Sequence, residues 1–383
     1  MRPHGPALAI LLLLTASPAA LARGDVRTID AKAGKIAVET VADGLARPWG
    51  LAFLPDGRML VTEKGGDMRI VSPDGTISDP LTGVPEVFAE DQGGLLDVTL
   101  DPDFARNSRL YFTFSEARGA GAGTSVASAR LADGGLEDVR VVFRQEPAIK
   151  GGKHFGSRIE FAPDGSMFVV LGERFQFDPA QDLSNHLGTV VRIGSDGAVP
   201  QDNPFVGKAG ARPEIWSYGH RNMQAAAIHP ETGALWVVDH GPKGGDELVA
   251  PEAGRNYGWP VVSWGDNYDD TPIPDPPSRP EFADAAFQWT PVIAPSGAAF
   301  YTGDRFADWR GDLLIGGLKV KALVVMDMAG SQPREAERLD LGARIRDVAQ
   351  GPDGAVYLVT DEKDGKILRL TPAGDQASAT AGR

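Results

Sequence analysis

Residues 53–71 read FLPDGRMLVTEKGGDMRIV, and this stretch decides the fold. A short apolar strand runs into a Pro-Asp-Gly turn, a second strand into a glycine turn, and a third strand follows. Proline presets φ and stops the strand before it, while Asp and Gly supply the turn conformations. The unit returns as FAPDGSMFVVLGE at 161–173, IHPETGALWVVDH at 228–240 and QGPDGAVYLVTDEKDGKILRL at 350–370. A longer-looped copy, LDPDFARNSRLYFTFS, occupies 100–115. The anchoring prolines are Pro55, Pro102, Pro163, Pro230 and Pro352, at intervals of 47, 61, 67 and 122. The last interval is twice 61, which predicts a further copy near residue 291. Residues 308–326, DWRGDLLIGGLKVKALVVM, supply it with a Trp-Arg-Gly-Asp turn. Six units, each with room for about four short strands and no long amphipathic helix, predict an all-β, six-bladed propeller of antiparallel blades. A pair of β-sandwiches is the alternative; it explains strands and turns but not the regular interval.

The whole chain has 383 residues, 42% of them hydrophobic, which is ample for a large core and excludes general disorder. It has no cysteine, which excludes disulfides, Cys-based zinc or iron–sulfur sites and a Cys nucleophile. The net charge of −14 argues against nucleic acid as a partner, since phosphate binding needs a basic face. Residues 1–22 read as a secretory signal: Arg2, an apolar core over 7–16, and a small-x-small cleavage pattern at Ala20-Leu21-Ala22. A retained anchor is the alternative for this segment. Nothing after it reaches the ~18 uninterrupted apolar residues of a membrane span, so a periplasmic or secreted protein without membrane insertion is expected. Residues 23–370 then form one propeller domain. Residues 371–383, small and polar, are expected to fray. Residues 268–280, YDDTPIPDPPSRP, carry five prolines and can only be a loop.

Function has to be read from residues that blade-building does not need. The densest such run lies within 215–260: Gly219-His220-Arg221-Asn222, then Asp239-His240-Gly241-Pro242, Gly244-Gly245-Asp246-Glu247 and Asn256-Tyr257-Gly258-Trp259-Pro260. Closely packed glycines let carbonyls approach an ion or ligand, and Asp246 and Glu247 are hard oxygen donors of the kind calcium prefers. On spacing alone the run is equally a solvated turn with incidental acids.

The ordered set of strings is more specific. GLARPWGLAFLPDGRMLV (44–61), DQGGLLDVTLDPDF (91–104), KHFGSRIEF (153–161), QDLSNHLGTVVRI (181–193), PSGAAFY (295–301) and RIRDVAQGPD (344–353) accompany GHRN, HGPKGGDE and NYGWP. Together, over about residues 45–370, they resemble the soluble sugar dehydrogenases that depend on pyrroloquinoline quinone (PQQ), the glucose/sorbosone dehydrogenase family. The aldose sugar dehydrogenase branch is the nearest, and His240, where the glucose branch has glutamine, is one reason. The family fold is a six-bladed propeller.

The resemblance implies PQQ and calcium as cofactors, an aldose as the small-molecule substrate, and an electron acceptor that the sequence does not identify. It makes His154 the general base, since a neutral imidazole has a suitable pKa for taking a sugar hydroxyl proton. A lone histidine is otherwise more often a hydrogen-bonded turn residue. Glu173 stands where the family usually has aspartate, as the acid that orients this imidazole. PQQ carries three carboxylates, so an acidic protein must concentrate cations to bind it. The matched positions are Arg221, Lys319, Arg344 and Arg346, with Arg221 and Asn222 nearest the quinone and Arg221 stabilising the developing oxygen anion. Arg344 and Arg346, two apart, share one face of a strand. Lys319 and Lys321 are both available as strand-edge charges, and the resemblance favours Lys319. Gln92, His240 and Thr360 match further polar contacts. The Gly241 and Pro242 carbonyls match a calcium site that also meets the quinone, and Glu247 with the Tyr257 carbonyl matches a structural calcium site. The aromatic pair expected before Pro295 does not align with Phe287 and Trp289.

Two rivals share the frame: a calcium-dependent lactonase and a non-catalytic ligand-binding propeller. The first needs no cationic cluster, and the second predicts its loss or the loss of the base. Zinc chemistry and a serine hydrolase lack their sequence signatures.

Overall fold

A computed structural model describes residues 24–273 and 279–374. The expected signal segment and most of the expected tail lie outside them. The described residues form twenty-four strands in six antiparallel sheets. The first two are β1 (Val26–Ala31) and β2 (Gly34–Leu45). The first blade is β3 (Pro48–Phe53), β4 (Met59–Glu63) and β5 (Met68–Val71). The second is β6 (Leu95–Leu100), β7 (Arg109–Arg118), β8 (Gly121–Ala132) and β9 (Gly135–Arg144). The third is β10 (Gly156–Phe161), β11 (Met167–Leu171), β12 (Thr189–Ile193) and β13 (Ile215–Tyr218). The fourth is β14 (Met223–Ile228), β15 (Leu235–Asp239), β16 (Asp246–Val249) and β17 (Phe287–Trp289). The fifth is β18 (Pro295–Phe300), β19 (Leu313–Gly317), β20 (Ala322–Asp327) and β21 (Arg334–Asp340). The sixth is β22 (Ile345–Gln350), β23 (Val356–Thr360) and β24 (Gly365–Pro372), onto which β2 and then β1 are added.

Every repeat turn found in the sequence joins the first and second strands of a blade, including the Trp309-Arg310-Gly311-Asp312 copy between β18 and β19. Two blades depart from four strands. In the first, the fourth strand is reduced to a bridge between Val71 and Ile77. The sixth has five, because β2 pairs with β24 from Ile36↔Pro372 to Leu45↔Gly365 and closes the ring. That pairing carries the sheet two residues beyond the expected domain end: Thr371 is buried opposite Ala37.

The apolar core is not central. It is divided among the blade interfaces, and alternation along each second strand feeds both neighbours. On β11, Met167, Val169 and Leu171 pack toward the second blade, while Phe168 and Val170 pack toward the fourth. This two-sided burial is why MFVVL reads as an unbroken apolar run. Each such side chain contributes about 1.5–3 kcal/mol relative to exposure. Nearer the axis, buried polar side chains link one blade to the next. Asp347 accepts from Leu51 N–H (2.8 Å), and Thr62 donates to the Leu96 carbonyl (2.5 Å). Thr113 donates to Ser157 (2.8 Å), and Asn222 accepts from Gly156 N–H (3.2 Å). Asp246 accepts from Ala294 N–H (2.8 Å), and Ser296 donates to Ile345 (2.7 Å). All six interfaces carry such a link.

Candidate functional site

The repeat turns all lie at one end of the axis. At the other end, the starts of the first strands and the ends of the second strands surround a cavity of about 310 Å³. Gln92, His154, Arg221, Asn222, His240, Arg344 and Arg346 all line it, so seven of the residues singled out in the sequence meet there.

His154 is 4% exposed, and its Nδ1 lies 2.7 Å from Glu173 Oε1. Glu173 is fully buried and also accepts from the Gln176 and Phe177 amides. A carboxylate only accepts, so Nδ1–H donates to it and the Nε2 lone pair is left free. Burial holds the His154 pKa below its usual value against the opposing pull of Glu173, which keeps the ring neutral with its Nε2 lone pair available. The longer side chain at Glu173 thus still reaches Nδ1. The backbone is built for this pair. His154 has φ 55°, its N–H donates to Gln92 Oε1 (2.8 Å), and a Cβ at Gly172 would stand 2.1 Å from the His154 carbonyl. Only glycine allows that approach.

Arg221 is 3% exposed and donates through Nη1 to the His240 (2.9 Å) and Gly241 (3.0 Å) carbonyls. Its Nη2 meets the Tyr268 hydroxyl at 3.2 Å. Asp239 holds the turn by accepting from the Arg221 and Asn222 amides. His240 donates from Nε2 to the Pro295 carbonyl, and burial drives its pKa to about 3. Arg344 and Arg346 do share a face: both pair with Asp361, at 2.7 and 3.2 Å. His220, of the same GHRN string, is buried away from the cavity, stacked on Tyr257 and bonded to Ser217.

Other expectations fall elsewhere. Lys319 is exposed in the turn after β19, and it is Leu318 that lines the cavity. Thr360 is buried and accepts from Lys366 N–H (2.9 Å) without lining the cavity. Phe287 and Trp289 form the outer strand β17, where Trp289 donates to Glu335 (2.7 Å). Sequence reasoning missed Arg47, Trp49, Lys64, Gln224, Tyr268 and Asp361, all of which line the cavity. Arg47 and Trp49 lie inside the quoted string at 44–61, which was the available signal. Burial, then Arg47 and Arg346, lower the Lys64 pKa.

The candidate metal residues divide. The Gly241 carbonyl is taken by Arg221, so calcium at Gly241 and Pro242 competes with a guanidinium for that oxygen. Asp246 is not a free donor, since its two oxygens accept from the Gly241 and Ala294 amides. Glu247 and Tyr257 line a recess of about 10 Å³ with Asp284. Burial, and then Asp239, Asp246 and Asp284, push the Glu247 pKa to about 8. A carboxyl so placed keeps its proton unless a cation balances it.

A six-bladed propeller with a cation-lined axial cavity and a buried His–Glu pair defines the class of protein. The chain belongs to the glucose/sorbosone dehydrogenase family, whose model matches residues 45–369. It is 46% identical over 345 residues to the aldose sugar dehydrogenase YliI of Escherichia coli, spanning 88% of this chain and 92% of that one. Among solved structures it is similar to the soluble aldose sugar dehydrogenase of Escherichia coli in its apo-form, with TM-score 0.85, 45% identity and coverage of 88% and 99%. It is also similar to the PQQ-bound form of an aldose sugar dehydrogenase from Streptomyces coelicolor, with TM-score 0.70, 28% identity and coverage of 88% and 98%.

Proposed function

We propose that this protein is a periplasmic or secreted quinoprotein that oxidises aldoses at C1 to lactones, with PQQ as its resident redox group. One observation carries the reading. In a chain of net charge −14, five cations line a cavity that is also lined by His154, itself paired with the buried Glu173 behind it. The five are Arg47, Lys64, Arg221, Arg344 and Arg346, facing only Asp91 and Asp361. The fit to an anionic ligand has a second support. The Nε atoms of Arg221 and Arg346 are buried without a hydrogen-bond partner. Such orphans in a binding cavity are accounted for by a ligand. A lactonase or an inert propeller leaves both features without a use.

Arg344, Arg346, Arg47 and Lys64 would hold the cofactor's carboxylates, with Lys64 and Arg47 in the part expected of Lys319. Arg221 and Asn222 would face its quinone edge. PQQ, when bound, supplies an o-quinone that accepts a hydride. The protein's own work is proton handling. His154 Nε2 takes the C1 hydroxyl proton, and Glu173 stabilises the imidazolium that results. Burial of the pair keeps water from competing for that proton. His240 is a poor rival as base, because its Nε2 is engaged with Pro295. Glu247 with the Tyr257 carbonyl would hold calcium as a structural ion. At Gly241 and Pro242 it requires Arg221 to release the Gly241 oxygen.

The test adds PQQ and calcium chloride to the purified apoprotein, follows binding by absorbance, and then assays dye reduction with a panel of aldoses. Stoichiometric binding and aldose-dependent reduction are expected. No PQQ binding with calcium present overturns the assignment.

A further inference from the structure

The floor of the cavity, where Trp49, Gln224 and Arg346 lie, rests on a side chain that the reaction does not use. Arg158, on β10, is 4% exposed at the propeller axis. Its Nη1 lies 2.8 Å from Asp97 on β6 and 2.9 Å from Asp347 on β22. Its Nε donates to the Gln224 carbonyl of β14 (3.0 Å), and its Nη2 donates to the Arg346 carbonyl of β22 (3.1 Å). Its guanidinium lies 4.2 Å from the centre of the Trp49 ring, which comes from β3. The two carboxylates reach onward: Asp97 accepts from Ile159 N–H and Asp347 from Leu51 N–H, both at 2.8 Å. The fifth blade comes as close, since a Cβ on Gly297 would stand 1.9 Å from Asp347 Oδ1 and 2.8 Å from Arg158 Nη2. One guanidinium thus sits where all six innermost strands converge. The three groups it orders from below, Trp49, Gln224 and Arg346, all line the cavity above. Gln224 in turn accepts from Arg346 Nη1 at 2.9 Å.

We propose that Arg158 is a positioning residue for the cofactor site: through its bonds to the Gln224 and Arg346 backbones and its contact with Trp49, it sets the floor on which the quinone rests and aims Arg346 at it. This rests on the PQQ reading. Arg158 touches neither the cavity space nor the proposed base, so it acts only through other residues. The chemistry requires arginine. Its planar fork makes five directed contacts at once, whereas a lysine ammonium satisfies the two carboxylates but cannot also reach two carbonyls and stack on indole. Two buried carboxylates against one cation leave a surplus negative charge. Burial raises the pKa of Asp97, and that of Asp347 to about 6, with Arg158 opposing both. Glu160 on β10 and Arg346 on β22 also face this cluster, while β3, β14 and β18 bring Trp49, Gln224 and Gly297, none of which titrates.

The experiment titrates PQQ, with calcium chloride, into full-length wild type and two variants, alongside thermal unfolding of each apoprotein. Arg158→Lys keeps a cation between the carboxylates. Arg158→Met combined with Asp97→Asn and Asp347→Asn removes the charges together, and each Asn oxygen can still accept the Leu51 or Ile159 amide. Replacing a buried ion cluster as a unit is tolerated far better than removing one partner. Both variants are expected to fold and to bind PQQ roughly tenfold to a hundredfold more weakly than wild type, the loss expected when a charged hydrogen-bonding group is misaimed. The single variant Arg158→Met, with two carboxylates stranded, is expected to be less stable at pH 8 than at pH 5. The triple variant, whose axis has no stranded pair, is expected to lose that difference. Wild-type affinity in either folded variant overturns the proposal and leaves the PQQ reading intact. Failure of the wild type itself to bind PQQ removes the reading on which the proposal rests. If neither variant folds, floor and fold are not separable and the positioning role is wrong.

Discussion

The propeller axis has two ends, built from the same six inner strands, and they differ in charge and in what their loops do. Above Arg158 the cavity of about 310 Å³ gathers Arg47, Lys64, Arg221, Arg344 and Arg346. Below it a second cavity, of about 320 Å³, is lined by Asp97, Glu160 and Asp347 around the single Arg158. Burial first, then Asp97, pushes the Glu160 pKa well above its usual value. The lower end carries the six repeat turns, together with longer connections such as 194–214 between β12 and β13. The upper end carries His154, Arg221 and His240 on the connections that enter β10, enter β14 and leave β15. A frame that fixes one end by turn chemistry leaves the other free to be chemical, as when function is grafted onto a scaffold.

The most direct way to break this contrast is at the base. His154→Ala is expected to retain PQQ and lose about 10²–10⁴-fold in kcat. The check is single-turnover reduction of fully loaded enzyme, compared with His240→Ala, which should mainly change KM. Normal turnover in His154→Ala with a dead His240→Ala would transfer the base to the other histidine.

The charge contrast is sharpened by paired substitutions across the floor. Arg346→Ala is expected to weaken PQQ by roughly one to two decades, because a charge-assisted contact is worth about 1.5–3 kcal/mol. Glu160→Gln, at the acidic end, should leave PQQ affinity within about twofold, since the ~8–10 Å Debye screening and the intervening Arg158 separate it from the ligand. Equal losses from both would mean that overall field, rather than the cavity, selects the anion.

Calcium tests the periphery. Prolonged chelation is expected to lower the Tm, and calcium at about 100 times its Kd to restore about 2.7 kcal/mol of stability by mass action. Glu247→Gln should abolish that calcium-dependent rise while leaving kcat of loaded enzyme nearly unchanged. A full calcium response in Glu247→Gln, measured by calorimetry, would place the structural ion elsewhere.

The smallest effect expected is on pH dependence. His154 must be neutral to act, so kcat/KM rises with pH through its pKa, which burial holds below the ordinary 6.5. Glu173 opposes that depression, so Glu173→Gln should move this acid limb to still lower pH while reducing the plateau. A limb that moves upward would show that Glu173 does not interact with the imidazole in solution.

How legible was the site? His154, Arg221, His240 and Arg346 were found because each lies in a string that resembles the family. Lys319 lies in a stretch that reads as a strand, whereas the chain turns at Leu318 and leaves the lysine exposed, outside the cavity lining. Lys64 and Asp361 were missed for a simple reason. Each follows a second strand, in a position that looks like an ordinary turn charge until the ring brings it to the axis. Arg158 lies inside the quoted string KHFGSRIEF, and nothing within a string of that length shows that it reaches the axis.

By itself the sequence determined the blade count, the turn between the first two strands of each blade, and the two-sided burial of runs such as MFVVL. The turns and the alternation are settled by Pro, Asp, Gly and their neighbours within a few residues, and the blade count by the recurrence of those turns along the chain. Closure of the ring by β2 on β24 was decided only in three dimensions, because it joins residues more than three hundred apart. So was the cavity. Its cations come from the ends of different blades, and no short-range rule relates Arg47 to Arg221 or Lys64 to Arg346. Only when six interfaces pack at once do those charges face one another, and burial then supplies the electrostatics that make them a site.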